Sequence, residues 1–522
     1  MKKYYFLFFF FMSILFFNYL FKSKKKNSPF KLYENLIPKT YRIGFTNLDS
    51  EIHIDNLPVI GPIPEWLSGV LFRNGPAKFT TNNAWVSNWF DGLAMIHAFS
   101  INNGAVSYTN KFLKTDNYET AKRTGNMSYF GFVQDPCKSL FKILISEFIT
   151  HSDKGAFNNT NINIAKYTEH FIAFSETPLP IEFDQESLET IGLLDYHDNY
   201  PKYNIHDTAH PHYDSLRNEH LAYFTKFGKK SSHNLFRIKD GSTKREIIGS
   251  ISVDQPSYMH SFGLTKNYAI LTGLPLVANP INLLLKNKGF IKNFKWKPEL
   301  GTRFIVFDRI NDKLIGTFKG EPFFAFHTVN AFEENNKIIF DIIVYPDASI
   351  IDKSYFDYIL APRNPKNSNT EFYGGLLKRF TIDLRDGTVI SRIIINEQIE
   401  LPRINYEKCN TKDYTYMYAY AGFRYPYTAD KLLKINVKTG ESKSWYQENC
   451  YPGEPVFINE PHSQKEDKGV VLSVILNAQM QKSFLLILDA ESFKEISRAE
   501  VPHHIPFGIH GKYFSTNSKI II

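Results

Sequence analysis

Six side chains with metal-binding chemistry stand at repeated stations from residue 210 onward. They are His210 in DTAHPHYD, His260 in PSYMHSFG, His327 in FAFHTVN, Glu400 in QIELPRINY, Glu454 in YPGEPVF and His510 in IPFGIHG. Two of the registers coincide, since Gly249 to His260 and Gly316 to His327 are both 11 residues. Imidazoles converging on one point in an apolar channel repel one another when protonated and stabilise a cation when neutral, so their meeting calls for a metal ion. Four nitrogen donors without a thiolate suit Fe(II), Cu(II) or Zn(II). A closed tetrahedral zinc would leave no reactive position, whereas octahedral iron would leave two. Glutamates close by would accept the other ring N–H and fix each imidazole's tautomer and orientation. One histidine alone among the 16 present would be an ordinary surface or core residue; the repeated placement is what carries weight.

The elements that must position these groups repeat as well. A short apolar strand, a turn rich in Asp, Asn or Gly, and a second strand recur at 98–112 (AFSINNGAVSYTNKF), 181–194, 235–251, 304–318, 376–395, 432–445 and 485–501, seven copies in all. Single hairpins cannot each bury an apolar face, and radial stacking of four-stranded sheets solves both burial and the exposed-edge problem. The expected architecture is therefore all-β, a seven-bladed β-propeller. The strand following each outer hairpin then begins the next blade at the axis, so six successive blades offer a His or Glu to it. One stretch breaks the pattern. In 135–151 (DPCKSLFKILISEFITH) Leu140, Phe141, Leu144, Ile145 and Phe148 share one side at helical spacing, as a capping helix or an interfacial patch with Cys137 acylated would require. The apolar and basic insertion 274–297 offers a second such surface.

Composition narrows the partners. Aromatic residues make up 16% of the 522, which favours β-rich structure and apolar or flat ligands. The net charge of +8 is concentrated at the start: residues 1–27 hold six Lys and no acid, leaving 55 Lys+Arg against 53 Asp+Glu in the rest. A body so nearly neutral has no nucleic-acid footprint. Three cysteines at unrelated spacings (137, 409 and 450) argue for a reducing compartment and against a disulfide framework or a zinc site. Residues 4–21 (YYFLFFFFMSILFFNYLF) form an 18-residue apolar run between Lys2-Lys3 and Lys22–Lys26, without a small-residue cleavage site. They predict an uncleaved N-terminal transmembrane signal anchor, with 1–27 the anchor and 28–522 the propeller domain. Lysines on both sides place the body weakly on the cytosolic face of an endomembrane such as the endoplasmic reticulum, with membrane lipid as a partner.

The motifs WFDGLAMIHAFSINNGAVSYTNKFLKT (89–115), QDPCKSLF (134–141), SETPLP (175–180), TAHPHYD (208–214), PSYMHSFGLT (256–265), FHTVNAFEE (326–334), LPRINY (401–406), YPGEPVF (451–457), DKGVVLSVIL (467–476) and FGIHG (507–511) resemble the carotenoid oxygenase family, above all its animal branch of β-carotene oxygenases and retinoid isomerohydrolase. The likeness runs from about residue 33 to 515. It implies a seven-bladed propeller, capped by helices and loops, with one Fe(2+) per chain on its axis. The family's iron-binding histidines match His210, His260, His327 and His510, and its supporting glutamates match Glu176, Glu400 and Glu454; His212 is set apart from the metal site. The apolar leader is a departure from the animal members.

By the same resemblance the expected reaction is oxidative cleavage of a conjugated C=C bond in a carotenoid or apocarotenoid by O2, giving aldehyde or ketone products without NAD or flavin. No G-x-G-x-x-G stretch opening a helix is visible, consistent with that. Retinyl-ester isomerohydrolysis and stilbene cleavage are alternatives on the same scaffold; the tail at 483–511 looks more like the eccentric-cleaving oxygenase. An inactive retinoid-binding propeller is the reading from a different class, and the loss of one His or Glu would favour it. None is missing.

Overall fold

Each of the seven hairpins is the outer strand pair of one antiparallel sheet in the computed structural model, which describes residues 28–127, 159–200, 205–280, 289–362, 374–423 and 429–516. Blade one runs outward from Gly511–Ser515 through Gly69–Lys78, Leu93–Asn102 and Ala105–Phe112, so the last strand of the chain is the innermost strand of the first blade and closes the ring. Blade two comprises Asn163–Tyr167, His170–Phe174, Ile181–Phe183 and Thr190–Leu193. In blade three the inner strand is split into Ile205–Asp207 and His212–Asp214, both paired to Glu219–Lys226, with Ser231–Lys239 and Glu246–Val253 outside. Blade four is Phe262–Leu264, Tyr268–Gly273, Thr302–Asp308 and Lys313–Gly320.

Blade five contains Thr328–Glu334, Lys337–Val344, Gly375–Asp383 and the outer half of the 16-residue strand Val389–Ile404. The inner half of that strand starts blade six, followed by Tyr416–Ala421, Lys431–Asn436 and Ser442–Tyr446. Blade seven has another split inner strand, Cys450–Pro452 and Val456–Asn459, then Gly469–Asn477, Lys482–Asp489 and Glu495–Val501.

Central strands such as KIIFDIIV (337–344) and GVVLSVILN (469–477) read as continuous apolar runs because both of their faces are covered. The covering is the neighbouring blade. Seven apolar clusters fill the seven gaps, represented in turn by Phe72 with Phe171, Phe174 with Phe236, Leu235 with Phe307, Phe304 with Phe340, Leu377 with Leu433, Leu432 with Leu486, and Leu485 with Phe99. Each fully buried Phe or Leu contributes about 1.5–3 kcal/mol, and the last cluster joins blade seven to blade one. Outermost strands are shorter of apolar residues: Lys313–Gly320 is exposed along one side, and its lysines protect the free edge.

Short helices and loops cap one mouth of the ring. Tyr41–Phe45 and Phe356–Ile359 pack together there, with the Tyr41 hydroxyl donating to the Ile359 carbonyl (2.7 Å) and Arg42 Nε to that of Leu360 (3.0 Å). The expected N-terminal transmembrane helix is corrected. Residues 4–21 lie outside the described residues, and among the described residues no helix is long and apolar enough to cross a membrane. The longest, Asp116–Thr124, has nine residues, about 13 Å at 1.5 Å each against a hydrocarbon core of about 30 Å. The single-pass anchorage in an endomembrane, and the localisation resting on it, fall with that helix. The segment 135–151 and Cys137 also lie outside the described residues. In the 274–297 insertion, Leu276–Ala278 pairs with Phe294–Trp296, and Leu274, Leu276, Val277 and Ile291 are buried, so its described part is core and not an open lipid-facing surface.

Candidate metal centre

The inner strands begin at the axis, and the chelating residues sit where they begin. His260 lies two residues before Phe262–Leu264, His327 immediately before Thr328–Glu334, and His510 immediately before Gly511–Ser515. His210 occupies the break in the inner strand of blade three, next to Pro211, which cannot donate to a ladder. Glu454 sits in the corresponding break of blade seven, and Glu400 where Val389–Ile404 passes from one blade to the next, at a register shift. Glu176 follows His170–Phe174, the second strand of blade two.

The four histidines converge: their ligand atoms all lie within 4.8 Å of one another, and the rings of His210 and of His327 each have their centroids 4.5–5.2 Å from those of the other three. Three have their outer nitrogen held by a glutamate. His260 Nδ1 is 2.5 Å from Glu176 Oε1, His327 Nδ1 2.5 Å from Glu400 Oε2, and His510 Nδ1 2.7 Å from Glu454 Oε1. With the N–H on Nδ1, each Nε2 presents a lone pair inward. His327 Nε2 and His510 Nε2 then face each other at 3.1 Å with no proton available between them. His210 Nε2 and His260 Nε2 are 2.8 Å apart. A cation between these lone pairs removes the repulsion, so the donor set fits a metal ion. Burial and the neighbouring rings drive the His210 imidazolium pKa well below its ordinary value, burial lowers that of His260, and burial outweighs Glu454 to bring His510 to about 3. Burial thus favours the neutral form of His210, His260 and His510, the form in which an imidazole ligates a metal.

The carboxylates are secured differently. Glu400 accepts from the Tyr345 hydroxyl (2.7 Å) and the Leu401 amide (2.7 Å). Glu454 is clamped by Arg73 Nη1 (2.5 Å), Arg403 Nε (2.8 Å) and the Gly511 amide (2.9 Å). Gly511 is required there, because a Cβ would come within 2.5 Å of Arg73 Cδ. Glu176 accepts from the Tyr258 hydroxyl (2.8 Å). Burial opposes ionisation of all three, yet His206 and His260 hold Glu176 at about 2, His327 lowers Glu400, and Arg403, His510 and Arg73 hold Glu454 well below the usual carboxylate range. His212 is engaged elsewhere, by the Tyr406 hydroxyl (2.9 Å) and the Phe262 carbonyl (3.0 Å). Tyr258, Tyr345, Arg73 and Arg403 were not picked out from the sequence. Only Tyr258, two residues before His260, left a signal.

Cavities flank the cluster on both sides. A cavity of about 260 Å³ under the cap is walled by Trp89, Phe90, Phe290, Phe326, Ile350, Leu401, Tyr420 and Phe423, and reaches His260 and His327. A smaller one of about 170 Å³ along the axis reaches His210, His327 and His510 and is lined by Arg403, Tyr406 and Lys512. Phe326 stands edge-on to His260 (5.5 Å) and Phe324 (4.8 Å), so apolar surface begins directly beside the imidazoles.

Fold and site together define a closed β-propeller with four imidazoles on its axis beside an apolar cavity. The chain belongs to the retinal pigment epithelial membrane protein family, whose model matches residues 45–515. It is 33% identical to the β,β-carotene 15,15'-dioxygenase of Gallus gallus over 515 residues (88% of this chain, 95% of the relative) and 32% identical to the mitochondrial carotenoid-cleaving dioxygenase of Macaca fascicularis over 515 (87% and 91%). Among solved structures, cobalt-substituted Synechocystis ACO matches with a TM-score of 0.78 at 26% identity, over 91% of this chain and 98% of that one.

Proposed function

We propose that this protein is a carotenoid cleavage dioxygenase, with Fe(II) held by His210, His260, His327 and His510. The reaction converts one conjugated C=C bond and one O2 into two carbonyl groups, so that no other oxidant or reductant enters. The observation that carries the reading is the pair of inward Nε2 atoms of His327 and His510, 3.1 Å apart, with His327 also in the wall of the aromatic cavity. Iron bound by these four residues would supply the redox chemistry that lets O2 overcome its spin restriction toward an alkene.

The protein's own contribution is placement. Glu176, Glu400 and Glu454 hold three imidazoles by their outer nitrogens, so the rings keep one tautomer and one orientation. Phe90, Phe326, Tyr420 and Phe423 line a space suited to a flat polyene and fix which bond lies beside His260 and His327. The relatives' names, β,β-carotene dioxygenase and carotenoid-cleaving dioxygenase, support the same substrate class. The test is incubation of Fe(II)-reconstituted protein with a panel of carotenoids and apocarotenoids under O2, followed by chromatography. Aldehyde or ketone fragments are expected. Iron-loaded protein that forms none, but turns retinyl palmitate into an 11-cis alcohol, would overturn the proposal.

A further inference from the structure

The three carboxylates behind the imidazoles have unlike partners on their far side. Glu400 is held by a tyrosine and a backbone amide, and Glu454 by two guanidinium groups. Glu176 has a histidine. His206, in the strand Ile205–Asp207 of blade three, places Nε2 3.2 Å from Glu176 Oε2, within ion-pair range though off the line of a hydrogen bond. That nitrogen is buried and makes no hydrogen bond among the described residues. The ring is 3% exposed, lies parallel to Phe290 (4.8 Å between centroids, 10° between planes) and borders the apolar cavity. Glu176 therefore stands between two imidazoles: Oε1 takes the Nδ1–H of His260, and Oε2 faces His206.

A buried polar atom without a hydrogen bond is costly and is retained where an electrostatic contact offsets that cost. The contact here is with a carboxylate that orients a metal-binding ring. We propose that His206 is a positioning residue: by holding Oε2 of Glu176 it fixes the carboxylate that orients His260. Because Phe290, which stacks on His206, is also in the cavity wall, the same ring links the cavity to the imidazole cluster. The inference rests on the four-histidine metal centre and adds a residue behind it.

The test is Co(II) titration of the full-length protein, followed by visible absorption and affinity. His206→Phe keeps an aromatic ring against Phe290 but loses the nitrogen. It should weaken Co(II) about 10-fold, the lower end of the 10–100-fold cost of losing a group that supports a ligand, and should shift the cobalt absorption bands. Combined with Glu176→Gln, it should cost nothing further, because His206 acts only through that carboxylate. An equal loss in both backgrounds would show that the effect does not pass through Glu176, and unchanged affinity would show that the nitrogen does nothing; either overturns the inference. Should His206→Phe fail to fold, His206→Gln decides. Its amide retains a donor and should bind Co(II) within about 3-fold of the unsubstituted protein, and a 10-fold loss unaffected by Glu176→Gln would overturn the inference. Failure of the unsubstituted protein to bind Co(II) overturns the metal centre itself, and with it this role.

Discussion

Replacing Glu454 by Gln should damage the protein in a different way from replacing Glu400. Glu454 is 1% exposed and neutralises Arg73, itself 4% exposed, with further contact to Arg403. Gln removes the charge and leaves the buried Arg73 guanidinium facing neutral acceptors, the Gln amide oxygen and the Ile509 carbonyl (3.2 Å). Removing one partner of a buried ion pair costs about 3–5 kcal/mol. Arg403 adds less, since its side chain is 32% exposed and solvent screens it. Glu400 faces the Tyr345 hydroxyl, the Leu401 amide and His327, with no Lys or Arg bonded to it among the described residues. Its Gln variant loses the charge on one acceptor, about 1–2 kcal/mol. The difference of about 2–3 kcal/mol is about a 30- to 150-fold change in the unfolding equilibrium. Urea unfolding of the two metal-free variants at pH 7.5, followed by tryptophan fluorescence, measures it. Equal stability of the two, or a less stable Glu400→Gln, would refute the assignment of Glu454 to an arginine clamp.

Three further outcomes follow from the same structure. Phe326→Ala opens space beside His260 and should redistribute the products among neighbouring double bonds; chromatography showing an unchanged product ratio would remove Phe326 from bond selection. Burial pushes the Asp207 carboxyl up to about 7, so the native state keeps its proton where the unfolded chain, near 3.8, has lost it, and stability falls as pH rises between those values. Asp207→Asn should accordingly gain about 2–3 kcal/mol over the parent between pH 5 and 7.5, and parallel stability curves would exclude the effect. In that background, with the opposing carboxyl gone, metal-free protein should lose about 2 kcal/mol of stability per ring from pH 7 to 5, because His510 stays neutral to about 3 while its unfolded counterpart takes up a proton near 6.5, and His210 behaves likewise. Chemical unfolding at the two pH values checks this, and a flat profile would contradict it.

The blade count was legible because every outer hairpin has its own turn and is half exposed, which forces alternation or a break in the apolar run. The equal 11-residue intervals have a shared cause. Gly249 and Gly316 both sit at the bulge of an outer strand, opposite Leu235–Phe236 and Val306–Phe307, so both strands reach the axis with the same register. Glu176 escapes that logic. It ends a second strand instead of opening an inner one, and only the resemblance to a known family pointed to it. The partners of the carboxylates were hidden for another reason: Tyr345 comes from blade five, Arg73 from blade one and His206 from blade three, and no local pattern relates residues that meet only when the ring closes. The N-terminal run shows the opposite limit, where hydropathy predicted a span and the described fold contains none.

The most direct measurement is the iron content of the anaerobically Fe(II)-reconstituted protein beside its four single variants His210→Ala, His260→Ala, His327→Ala and His510→Ala. The account predicts one iron per chain in the parent and a loss of bound iron in each variant that still folds. A parent with less than about half an equivalent, or any variant that holds iron as the parent does, would contradict a four-imidazole centre.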